Sequence, residues 1–146
     1  MGINWKKCYL KVKKVSLNKG ENKMDFVKAL KEQFKQEFDF DSLFCEGKPG
    51  GLRVLEWLPI DDVFSLSIQA SMSHYCIPRA YVDLEEYTHF ELAIIYKDRI
   101  FNGNPVILNK FSRKDEFMEY FDGGIYAYVP KDLIQDLYNF LIGGIR

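Results

Sequence analysis

Two apolar runs, Val63 to Met72 and Phe90 to Tyr96, leave this chain few ways to fold. In the first, Phe64, Leu66, Ile68, Ala70 and Met72 alternate with Ser65, Ser67, Gln69 and Ser71, the period-two pattern of a strand with one buried and one polar face. The second is nearly continuous apolar residue, rich in isoleucine, which suits a central strand covered on both sides. Between them lie a polar and aromatic connection, Ser73 to Arg79, and an acidic run, Asp83 to Glu86. The remaining segments read as cover for a sheet built on these two strands.

Upstream, Trp5 to Leu17 alternates weakly, as an edge strand does, and Asn18 to Asn22 is a turn. A helix is predicted from Asp25 onward, with Phe26, Leu30, Phe34 and Phe38 as one stripe at four-residue steps and Lys28, Lys31, Glu32, Lys35 and Gln36 outward. Phe44-Cys45 and Leu52 to Leu58 read as strands about the reversal Gly47-Lys48-Pro49-Gly50-Gly51, and Pro59 to Asp62 as a further turn. Beyond Tyr96, Val106-Ile107-Leu108 reads as a short strand. Ser112 with Asp115 opens a short helix, and Asp122-Gly123-Gly124 stops it. Ile125 to Val129 is a strand, and Pro130 with Asp132 opens a last helix whose buried face is Leu133, Ile134, Leu137, Tyr138 and Leu141. The pattern predicts one α+β domain over residues 1–146, a mostly antiparallel β-sheet of about five or six strands with helices packed on one face.

A chain of 146 residues, 47% apolar and 28% charged, can bury a core without staples and belongs with globular proteins. The net charge of −1 is unevenly spread. Residues 1–23 hold seven lysines and one acid, so the leading segment carries +6 and the rest of the chain −7. This basic leading segment, an edge strand or a flexible arm, contains lysine without arginine, which argues for a solvated face and against nucleic acid. Cys8, Cys45 and Cys76 are odd in number and widely spaced, which argues for a reducing cytoplasm. No run approaches the length of a membrane span, so no membrane partner is expected. Neither a cofactor nor an oligomeric state can be read from the chain. Lys48 is not followed by Ser or Thr, as a phosphate-cradling loop requires.

Two constellations could carry function. His74, Cys76, His89 and Glu91 flank the loop joining the two central strands and would supply a metal site or a cysteine hydrolase, although His74 and Cys76 fall on opposite sides of an extended chain. Tyr75, Tyr81, Asp83, Glu85, Glu86 and Tyr87 form an acidic and aromatic group suited to docking a basic partner protein, charge speeding encounter and the rings supplying affinity. The second fits a chain with nine tyrosines and an acidic body.

Ser67-Ile68-Gln69-Ala70-Ser71-Met72-Ser73-His74-Tyr75, followed after a spacer by His89-Phe90-Glu91-Leu92-Ala93-Ile94, resembles the pattern of suppressor-of-fused-like domains. The strand Gly124 to Pro130, leading into a helix over Asp132 to Leu141, is similar to that family's closing strand and helix. The resemblance covers roughly residues 50–140. It departs from the family where Ala70 and Ser71 replace the usual glycine before the serine turn, and where the long helix after the Glu-Leu strand is shortened or absent. Bacterial members are typically immunity proteins or antitoxins that silence a partner toxin. The resemblance therefore implies a non-enzymatic, stoichiometric binder, which a phage or mobile-element accessory protein acting on a host system would also be.

Overall fold

The structure, a computed structural model, describes residues 24–38, 50–103 and 105–144. The expected edge strand at Trp5 to Leu17, the turn at Asn18 to Asn22 and the strand at Phe44-Cys45 lie outside these residues. In chain order the elements are α1 (Phe26–Ala29), β1 (Glu32–Phe38), β2 (Gly50–Leu55), β3 (Leu58–Pro59), β4 (Phe64–Gln69), a 3₁₀ turn at Leu84–Glu86 and β5 (His89–Tyr96). There follow β6 (Arg99–Ile100), a second 3₁₀ turn at Val106–Leu108, α2 (Lys114–Met118), β7 (Phe121–Asp122), β8 (Ile125–Pro130) and α3 (Lys131–Gly144).

The two central runs pair as antiparallel neighbours, Phe64 opposite Tyr96 through Gln69 opposite Glu91. Around them forms a six-stranded antiparallel sheet in the order β3-β4-β5-β8-β7, with β6 folded back on the end of β5. A second sheet pairs β1 with β2. The Gln69 side chain joins the two sheets. Its Nε2 donates to Leu55 O at 2.9 Å and its Oε1 accepts from Leu55 N at 2.9 Å, doing for Leu55 what a neighbouring strand would do. Gln69 and Ser71, expected on a polar face, are therefore buried.

The core lies between the sheet and the last helix. Leu133, Ile134, Leu137, Tyr138 and Leu141 are all buried, as their helical spacing requires. They face Phe90, Leu92 and Ile94 of β5 and Tyr126 and Val129 of β8 in one cluster. Phe117 of α2 stacks on Tyr126 with ring centroids 4.1 Å apart, and Phe26 of α1 meets Phe90 edge to face at 5.5 Å. Gln135 ties α3 to the start of α1, accepting from Phe26 N at 3.0 Å and donating to Met24 O at 2.8 Å. Arg113 clamps the approach to α2 onto α3 through Asp132 and Asp136.

Three local expectations are corrected. The helix opened by Asp25, whose side chain caps Val27 N, ends at Leu30, and Glu32–Phe38 is a strand. Residues four apart share a face in a strand as well as a helix, so the Phe34 and Phe38 spacing does not choose between them; pairing with β2, Phe34 opposite Val54, does. Val106–Leu108 is a 3₁₀ turn rather than a strand. The Ser112 helix begins at Lys114 without a side-chain cap, and in Asp122-Gly123-Gly124 the aspartate ends β7 while the two glycines turn the chain into β8. Gly123 and Gly124, at φ +61° and +109°, supply the left-handed backbone that this turn needs.

Candidate functional site

The connection from β4 to β5 is firmly seated. Ile77 pairs with His89 across an isolated bridge, its N–H donating to His89 O at 3.1 Å and its C=O accepting from Thr88 N at 2.9 Å. Tyr75 N donates to Glu91 Oε2 at 2.9 Å, and Tyr75 O accepts from Tyr128 N at 3.1 Å. The backbone groups of both residues are thus consumed by long-range bonds while their side chains point outward. Tyr75 is 40% exposed and Ile77 44%.

Tyr128 joins them through a β-bulge. Phe90 is opposite Val129 and Leu92 opposite Tyr126, so Ala127 and Tyr128 together stand against Glu91. The extra residue places Tyr128 at φ +55°, left-handed backbone that a bulky side chain rarely adopts. Without it Tyr128 would share the buried face of Tyr126; with it, Tyr128 is 36% exposed and its ring lies 5.8 Å from that of Tyr75. On the same surface the Arg79 guanidinium lies 5.1 Å from the centre of the Tyr75 ring, and Arg79 Nε donates to Met72 O at 3.2 Å. Tyr75, Ile77, Arg79 and Tyr128 form an exposed cluster of large side chains.

The residues expected at a docking surface divide. Tyr75 belongs to this cluster. Asp83, Glu85 and Glu86 are exposed on the Leu84–Glu86 turn, where Asp83 N donates to Glu86 Oε2 at 3.1 Å and Glu85 pairs with Lys131 at 3.3 Å. Tyr81 is half-buried beneath the Arg53 guanidinium, 4.4 Å from its ring centre, and is packed so closely on Gly51 that a Cβ there would fall 2.7 Å from Tyr81 Cγ. Tyr87 is corrected to a core position: 1% exposed, its hydroxyl donates to Ala80 O and accepts from Val82 N at 3.2 Å, closing the loop from within. Burial raises its pKa, opposed by the Val82 N–H and by Arg53.

His74, Cys76, His89 and Glu91 are each engaged separately. His74 Nδ1 is 2.7 Å from Ser71 Oγ, His89 Nδ1 is 2.8 Å from Thr88 Oγ1, and Glu91 holds Tyr75 N. Cys76 is buried with its thiol directed at Ser71 O and Pro78 O, and burial pushes its pKa up to about 11, away from a reactive thiolate. Among the described residues no three His, Cys, Asp or Glu side chains are arranged to hold a metal ion. The Ser71–His74 bond has the reach of a nucleophile and base, and burial lowers the His74 pKa, with Arg79 adding to the effect and Glu91 opposing it. Ser71, however, has no exposed surface to offer a substrate.

Ile77, Arg79, Tyr128 and Arg53 were not singled out by their sequence positions. Ile77 and Arg79 lie in the connection whose polar and aromatic character was legible; Tyr128 depends on a bulge with no local marker. Arg53 is buried, donates to Glu32 Oε1 at 3.2 Å and Val82 O at 2.8 Å, and among the described residues its Nη1 has no hydrogen-bond partner. No protein-family model, curated protein or solved structure matches this chain. Among the described residues no helix is long and apolar enough to cross a membrane.

Proposed function

We propose that this chain is a non-enzymatic protein-binding module of the suppressor-of-fused-like, immunity or antitoxin type, which binds and silences one partner protein. Tyr75, Ile77 and Tyr128 are its anchors. Asp83, Glu85 and Glu86 are an acidic rim that speeds encounter with a basic partner. The reading rests on one observation: an exposed aromatic cluster held on hydrogen-bonded backbone, and at Tyr128 on strained backbone, with no role in the core. Strained backbone persists where the surroundings enforce it, and it gathers at sites of function. Rigid tyrosines give large contact area at small entropic cost. The hydrolase alternative requires Cys76 to ionise near neutral pH, which its burial opposes.

The test is affinity capture from the cells of origin, then calorimetric titration of the captured protein against the wild type, Tyr75→Ala, Tyr128→Ala and the double variant Glu85→Lys/Glu86→Lys. The expected result is a one-to-one complex, weakened roughly tenfold or more by either tyrosine change. The lysine variant should mainly slow association at low salt. A captured protein that binds the tyrosine variants as tightly as the wild type would refute the proposal.

A further inference from the structure

Resting on the protein-binding reading of the same surface, we infer that Arg79 fixes the register of the partner by taking one of its carboxylate side chains, set beside an apolar side chain that covers Ile77 and Tyr128. Among the described residues Arg79 forms one hydrogen bond, Nε to Met72 O at 3.2 Å, and no ion pair. That bond and the Tyr75 ring below orient the planar group, and among the described residues nothing hydrogen-bonds the edge carrying Nη1 and Nη2. Two parallel N–H donors on one edge match the two oxygens of a carboxylate, a fit that a lysine ammonium cannot reproduce. Arg113, by contrast, is half-buried and already spends its guanidinium on Glu116, Asp132 and Asp136. The charge required opposite Arg79 is therefore opposite in sign to that required by the acidic turn. A partner that is basic overall must still present one acid at this point, and this single requirement would separate it from other basic proteins.

The full chain, immobilised, is panned against a phage-displayed library of random peptides, in parallel with Arg79→Glu and the double variant Tyr75→Ala/Tyr128→Ala. The expected result is a wild-type consensus with Asp or Glu next to an apolar residue, absent on the tyrosine variant, and with Lys or Arg in the acid's place on Arg79→Glu. A synthetic peptide of that consensus should bind Arg79→Lys about tenfold more weakly than the wild type, because charge remains while the fork is lost. Peptides that depend on the tyrosines but show no acidic position, or that bind Arg79→Glu equally, would overturn the role of Arg79 and leave the protein-binding reading standing. If no tyrosine-dependent peptide is enriched, both fail. A fluorescein-labelled oligo-dT strand that binds the wild type and not Arg79→Glu, with no peptide enriched, would assign the guanidinium to phosphate and likewise overturn the inference.

Discussion

Replacing Tyr128 separates what the fold requires from what the surface requires. Its backbone sits at φ +55°, and a side chain in that region costs about 1–2 kcal/mol relative to ordinary backbone. Tyr128→Gly removes this cost but adds about 0.5–1 kcal/mol of chain entropy to the unfolded state. Both Tyr128→Gly and Tyr128→Ala lose the ring contact with Tyr75, which for two partly exposed rings 5.8 Å apart is worth about 0.5 kcal/mol. Alanine retains the strain and glycine does not, so the glycine variant should be the more stable of the two by about 0.5–1 kcal/mol, and close to the wild type. Tyr128→Asn, with a side chain that tolerates left-handed backbone, should fall between them. Urea unfolding at constant slope measures the order, and titration with the partner or the selected peptide measures binding, which all three variants should lose alike. A glycine variant less stable than the alanine variant would refute the strain argument. Retention of binding by all three would show that the bulge serves something other than this surface.

Gln69→Leu keeps the volume of the side chain but leaves Leu55 N–H and C=O buried without partners, and should cost about 2–5 kcal/mol in urea unfolding; a loss below about 1 kcal/mol would mean that the β1–β2 pair is not held through this amide. Gly51→Ala drives a methyl to within 2.7 Å of Tyr81 Cγ, so Tyr81 must leave its place against Arg53, and the thermal midpoint should fall by the equivalent of about 1–3 kcal/mol; an unchanged midpoint would show that Tyr81 moves freely. Burial raises the Cys76 thiol from its ordinary 9.0 to about 11, so the unfolded chain loses this proton first and stability falls as pH rises between those values. Cys76→Ala should flatten that part of the pH–stability curve, and an equal decline in the variant would place the effect on the buried tyrosines.

The parts of the fold that were legible in the sequence are those whose pattern has a single structural meaning. The alternation from Phe64 to Ala70 and the isoleucine-rich run after Phe90 fit strands only, and Leu133 to Leu141 fits a helix only. Phe26 to Phe38 failed because four-residue spacing satisfies both periods, and what decides between them is β2, distant in sequence. Gln69 and Ser71 read as solvent-facing because they are polar, and only Leu55 of β2, whose N–H and C=O the Gln69 amide satisfies, explains why an amide is needed inside. At the candidate site, Tyr75 was legible from the character of its loop. Tyr87 follows an acidic run and reads as equally exposed, yet its hydroxyl is required by Ala80 and Val82, a satisfaction problem that no local pattern reveals.

Tyr126 and Tyr128 show why the rest was out of reach. They stand two apart in a strand, so periodicity assigns them one face; Gly124 and Pro130 mark only the ends of the strand, and no glycine or proline lies between Tyr126 and Tyr128 to mark a break. The bulge arises because Tyr128 N–H is taken by Tyr75 O and Ala127 N–H by Tyr120 O, two groups outside the β5 pairing. The surface therefore comes from three segments brought together by the sheet: residues 75–79, residues 88–91 and Tyr128. Because their backbone bonds are made within the fold, binding should need little further ordering, and affinity should reside in the side chains of Tyr75, Ile77, Arg79 and Tyr128. A loop of the same composition without those bonds would have to be ordered on contact, and the same four side chains would then bind more weakly.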